Sequence, residues 1–196
     1  IIPLIHIKGY AAPETKAATE QARLLLEQAD ALGEPSEDPL LLFSVLYGFC
    51  VANHVAFNGD VARDLSAQVL ELAEKQRASF PRVLGHNLLG SCLLYRGEIA
   101  EGRTHLDQGI ALYDPAEHRP LATRFGEDHG IVSLFFRSKA LWMLGYPETA
   151  QMDTDRAYRD ARESGHAVSL LWALRGAVFN NIACGNYTTA NARINE

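Results

Sequence analysis

Five times along this chain an apolar run closes at a glycine and an amphipathic run opens after it. The turns read Gly9-Tyr-Ala-Ala-Pro13, Asn58-Gly-Asp-Val-Ala62, Arg96-Gly-Glu-Ile-Ala100, Leu144-Gly-Tyr-Pro-Glu148 and Cys184-Gly-Asn-Tyr-Thr188. The glycines Gly9, Gly59, Gly97, Gly145 and Gly185 are spaced by 50, 38, 48 and 40 residues. A residue free to take positive φ ends one helix and lets the next begin, so each glycine marks the turn of a helical hairpin. Repetition constrains the fold strongly, because a unit of this size buries its apolar face only against a neighbour.

The stretches after the glycines carry one apolar stripe at helical spacing, such as Val61, Leu65, Val69 and Leu72, or Ala150, Ala157 and Ala161. Their opposite faces are charged, as in Asp155-Arg156 and Arg159-Asp160. The alternating stretches, 40–57, 83–95, 131–144 and 167–183, are apolar almost all round and must be covered on several sides. Gly90 and Ser138, each seven residues before a turn glycine, supply small residues where two helices approach closely. No period-two strand pattern competes. The expected fold is all-α, a right-handed α-solenoid of antiparallel helix pairs of tetratricopeptide-like type, with about four repeats and a partial fifth. Residues 1–10 read as the end of an upstream linker and 11–196 as the array, truncated at both ends.

Charge and composition narrow the role. The 196 residues carry 18 Lys and Arg against 24 Asp and Glu, a net charge of −6. That balance leaves no basic stripe for phosphates and none for anionic lipid, so neither nucleic acid nor a membrane surface is expected as a partner. The apolar run 40–57 contains Ser44, Gly48, Asn53 and His54 and reads as a buried helix rather than a membrane span. Cys50, Cys92 and Cys184 lie far apart in apolar stretches, which points to buried free thiols and a cytoplasmic setting.

Two insertions lengthen the repeats, at 33–39 and at Tyr113–Gly130. The second runs 18 residues, long for a helix–helix connection, and gathers His118, Arg124 and Asp128 with other polar groups. It is either a polar lid over a ligand or a structural brace, with Asp114 capping a turn and Arg124 paired to Asp128 or a helix end. As a lid, it would make Arg124→Ala and Asp128→Ala abolish ligand binding and spare peptide binding.

Motifs of catalysis are missing. The chain has no phosphate loop, no dinucleotide fingerprint and no nucleophile elbow. None of its seven histidines forms a helical i, i+4 metal pair. No enzyme activity, metal or cofactor is expected of this segment. His54 and His86 lie on apolar helices, where they are either interior histidines with satisfied hydrogen bonds or groups facing a ligand.

Leu112-Tyr-Asp-Pro115, His118-Arg119 and Arg124-Phe-Gly-Glu-Asp128 resemble a signature of large bacterial signalling proteins. In those, a class III adenylate/guanylate cyclase domain and a STAND-type ATPase domain precede a tetratricopeptide-like array. Lys8–Glu14 resembles the junction where that array begins, and Gly97-Glu-Ile-Ala100 and Leu141–Pro147 are similar to its repeats. The resemblance implies an intracellular sensor or scaffold segment, with any cyclase or ATPase residues upstream of Ile1.

The leading expectation is a non-enzymatic scaffold that holds a protein or peptide in a concave groove, with the chain's own upstream domains as further partners. The alternatives are a small-molecule sensor with a pocket under the 113–130 loop, and a structural or homodimerisation module. The candidate binding residues are Tyr47, His54, His86 and Asn87 on the inner helices, and His118, Arg124 and Asp128 in the loop.

Overall fold

The computed structural model describes residues 7–9, 12–31 and 38–194, and all regular structure among them is helical. The expected linker residues 1–6 and 10, and positions 33–37 of the first insertion, lie outside the described residues. The main helices are α1 (Pro13–Ala31), α2 (Leu41–Val55), α3 (Gly59–Gln76), α4 (Ser79–Tyr95) and α5 (Ile99–Leu112). After two single-turn helices, α6 (Pro115–His118) and α7 (Ala122–Phe125), come α8 (His129–Met143), α9 (Pro147–Ser164), α10 (Ala167–Ala183) and α11 (Tyr187–Ile194). Consecutive helices pack in pairs, and the apolar helices also touch in series, α2 on α4, α4 on α8 and α8 on α10. No helix among the described residues is long and apolar enough to cross a membrane.

Gly9, Gly97, Gly145 and Gly185 stand at the expected turns with φ between 77° and 88°. The second turn differs. There the left-handed residue is Phe57, at φ 59°, and Gly59 is the first residue of α3. Glycine matters in another way between α4 and α5. A Cβ on Gly90 would lie 2.9 Å from the Gly102 carbonyl oxygen, and one on Gly102 would lie 2.7 Å from the Gly90 oxygen. Both positions must be glycine for the two backbones to meet.

Aromatic and branched side chains fill three clusters. The first joins Phe43, Tyr47, Val69, Phe80 and Leu84 to Phe125 from the long insertion, whose ring lies 4.7 Å from that of Phe80. The others centre on Val132, Phe135 and Phe136, and on Ile131, Leu134 and Ala173, with Trp172 against both. Helix α9 meets this core through Ala150, Ala157 and Ala161, all essentially inaccessible. Cys50 and Cys92 are buried as expected, whereas Cys184, just past the end of α10, is exposed.

Candidate functional site

The 113–130 insertion is folded inward rather than draped as an irregular loop. The Asp114 carboxylate accepts the Ala116 amide at 2.9 Å, and Pro115 begins α6 with its fixed φ. Gly126, at φ 82°, ends α7, and Asp128 caps α8 by accepting the Gly130 and Ile131 amides at 2.9 and 3.3 Å. Between that left-handed glycine and that cap, Glu127 has its backbone held from both sides. Its side chain is 6% exposed.

Glu127 accepts the Tyr47 hydroxyl at 2.7 Å and the Trp172 indole N–H at 2.5 Å, so one carboxylate joins α2 to α10. Burial pushes its pKa up to about 7, opposed by those two donors and by the nearby Arg175 charge. The carboxylate forms part of the wall of a cavity of about 320 Å³ enclosed by α2, α4, α8 and α10. Tyr47, His54 and Asn87 meet there. Asn87 donates to Ser133 Oγ at 3.0 Å, and the His54 ring stands edge-on to Tyr95 at 5.0 Å. Burial lowers the His54 pKa, so the ring is neutral near pH 7.

The other four residues singled out from sequence lie away from this cavity. His86 Nδ1 sits 3.1 Å from His105 Nδ1, a contact that needs one ring to donate and the other to accept. Burial pushes the His86 pKa down to about 4, which keeps that pair neutral. His118 is buried; its Nδ1 accepts the Asp114 amide at 3.0 Å, which leaves Nε2–H to donate to Ser79 Oγ at 2.8 Å. Arg124 reaches Asp38 rather than Asp128, with two bonds of 3.0 and 2.6 Å, and its Nε donates to Ser44 Oγ. Asp128 is the α8 cap, and its second oxygen faces Arg119 Nε at 3.7 Å. His118, Arg124 and Asp128 fasten the insertion to α4, α2 and α8, whereas His86 joins α4 to α5. Among the described residues, no three His, Cys, Asp or Glu side chains converge on a metal position.

A second cavity, of about 470 Å³, adjoins the first between α8, α10 and α11, and Arg175 lines both. Its wall is Phe135, Leu171, Leu174, Val178 and Phe179, and its cations are Lys139, Arg175 and Arg193. Sequence reasoning singled out neither Glu127 nor this cationic group. The available signal was a lysine close after Arg137 in the apolar run 131–144, a lone arginine midway along the apolar run 167–183, and an acid between a glycine and a helix cap at 127.

The chain matches no protein-family model, and comparison with curated proteins and with solved structures gives no significant match.

Proposed function

We propose that this chain is a non-enzymatic binding scaffold that holds a peptide segment of a partner protein along the face formed by α2, α4, α8 and α10. The observation that carries this reading is the pair of adjoining cavities, about 320 and 470 Å³, sharing Arg175. Together they make a trough that crosses several helices and is lined by apolar walls with few polar groups, the form that an extended segment fits. The serial contacts of α2, α4, α8 and α10 support a tetratricopeptide-like solenoid, right-handed by the usual geometry of such repeats, with the trough on its inner curve.

The test is to pan a displayed random-peptide library against the purified chain. Peptides are expected to be enriched, and their binding to weaken in Val55→Arg and Leu171→Arg, which place a charge at exposed positions lining the two cavities. Absence of enrichment, or binding indifferent to both variants, refutes the reading.

A sensor of a small molecule is the second reading, favoured by the buried Glu127 at the wall of the smaller cavity. A metabolite panel that raises the melting temperature of the wild type but not of Glu127→Gln would replace the peptide reading with this one. The resemblance of the 112–128 motifs extends the proposal to context: the segment acts as the regulatory repeat region of a larger signalling ATPase or nucleotide cyclase. In the intact protein, deletion of the segment then changes nucleotide turnover; an unchanged rate removes that extension.

A further inference from the structure

Two cations of the trough, Lys139 and Arg175, lack a paired carboxylate; Glu127, the acid whose pKa the Arg175 charge lowers, spends its two oxygens on Tyr47 and Trp172. Among the described residues, neither Lys139 nor Arg175 makes an ion pair, although the chain as a whole is acidic, at −6. Both are held in place by rings instead. Lys139 Nζ lies 4.4 Å from the centre of the Phe135 ring and 5.1 Å from that of Phe179, and donates to the Tyr95 hydroxyl at 3.3 Å. The Arg175 guanidinium stacks over Trp172 at 4.6 Å and lies 5.5 Å from the Phe135 ring. Ring faces orient a cation without neutralising it.

The positions of these groups matter as much as their charge. Arg175 borders both cavities, and Lys139 in the larger one donates to Tyr95 of the smaller, so these two cations stand where the apolar pockets meet. No acidic residue lines the larger cavity. Charge complementarity thus selects an anion, and its central place selects one carried within a segment that continues in both directions.

Resting on the peptide-scaffold reading, we infer that the trough recognises an acidic side chain flanked by apolar residues, its carboxylate gripped by Lys139 and Arg175. The flanking side chains enter the pocket beside Val132 and Phe136 on one side and the pocket beside Leu174 and Val178 on the other. A carboxylate between two pre-oriented cations makes charge-assisted hydrogen bonds, which are shorter and stronger than neutral ones. The charge of an anion beside Lys139 also offsets the burial and the neighbouring Arg175 charge that together push its pKa down to about 8.

The experiment uses the full chain and fluorescein-labelled synthetic peptides with a Leu-Phe-Asp-Leu-Phe core, read by fluorescence anisotropy. Companion peptides carry Asn or Lys in place of the Asp, and one carries Ser in place of each apolar residue. Expected are loss of about tenfold in affinity on changing Asp to Asn, and a similar loss in Lys139→Gln and in Arg175→Gln. Arg63→Gln, which lines neither cavity, serves as the charge control, and circular dichroism melts show that each variant is folded. Equal affinity for the Asp and Asn peptides overturns the inference. So does library enrichment of peptides without acidic residues that Leu171→Arg still blocks, an outcome that leaves the scaffold reading standing. Failure of every peptide to bind, with no enrichment from the library, overturns both. Self-association of the chain that Leu171→Arg abolishes but Lys139→Gln and Arg175→Gln do not weaken assigns the trough to a second copy and overturns the acidic-segment inference.

Discussion

Replacing Glu127 by glutamine changes stability in a way whose sign depends on pH. Burial raises the carboxyl from its ordinary value of 4.5 to about 7 in the folded chain, while in the unfolded chain it returns to the ordinary value. The folded protein therefore binds the proton more tightly than the unfolded one. Its stabilising contribution is complete below about pH 4.5 and is lost as pH rises through 7. The gap between the two values corresponds to about 3 kcal/mol in all, of which about 2.5 kcal/mol falls between pH 5 and pH 8. Glutamine has the same shape and never ionises. It keeps one acceptor for Tyr47 or Trp172 and loses the other, a penalty of about 1–2 kcal/mol that does not vary with pH.

The assay is urea denaturation at pH 5 and pH 8, followed by indole fluorescence and by far-ultraviolet circular dichroism. Wild type is expected to be the more stable protein at pH 5 and to lose about 2–3 kcal/mol of that advantage by pH 8. His54, His86, His105, His118 and His129 also have pKa values lowered by burial and also titrate between folded and unfolded states. They are present in both proteins, so the difference between the two curves isolates Glu127. A difference constant to within about 0.5 kcal/mol from pH 5 to pH 8 refutes the argument. Glu127 would then be an ordinary carboxylate, ionised throughout by Arg175 and its two donors.

The packing sets the outcome of four further substitutions. Gly90→Val places carbon against the Gly102 carbonyl and Leu106, and thermal melts should show a loss of about 2–3 kcal/mol; Gly109→Ala, whose Cβ would meet nothing closer than 3.4 Å, should be neutral or slightly stabilising. Arg137 bonds Asp153 twice at 2.7 Å and Asp107 at 2.9 Å, so Arg137→Ala, which strands a 5% exposed Asp153, should lose about 3 kcal/mol in denaturation. Arg124→Ala should lose less than about 1 kcal/mol, because its pair with Asp38 is partly open to solvent, and peptide affinity measured by anisotropy should stay unchanged. Loss of small-molecule binding in that variant, with peptide affinity spared, would restore the insertion as a lid.

The helices were legible because their signal is local. Apolar residues at a period near 3.6 mark a buried stripe wherever the stripe goes, and a left-handed glycine is needed at a hairpin turn whatever follows. The expected runs 40–57, 83–95, 131–144 and 167–183 correspond to helices at Leu41–Val55, Ser79–Tyr95, His129–Met143 and Ala167–Ala183. Even the cap at Asp114 could be read, since an Asp before Pro satisfies amides only two residues away.

Partners across the fold could not be read in the same way. His118 and Arg124 stood out as polar groups in a long loop, yet their partners are Ser79 and Asp38, 39 and 86 residues away. Glu127 entered only as one position of a motif and not as a binding candidate, and its partners Tyr47 and Trp172 are 80 and 45 residues away. Sequence by itself determined which stretches are helical, where they turn and which faces are apolar, because those properties depend on neighbours within a turn or two. Tertiary structure alone decided that four apolar helices leave cavities between them, that an inserted acid turns inward, and that Lys139 and Arg175 come together without an ion-pair partner. Those features depend on the angles at which helices pack, which many distant side chains set together and no local spacing records.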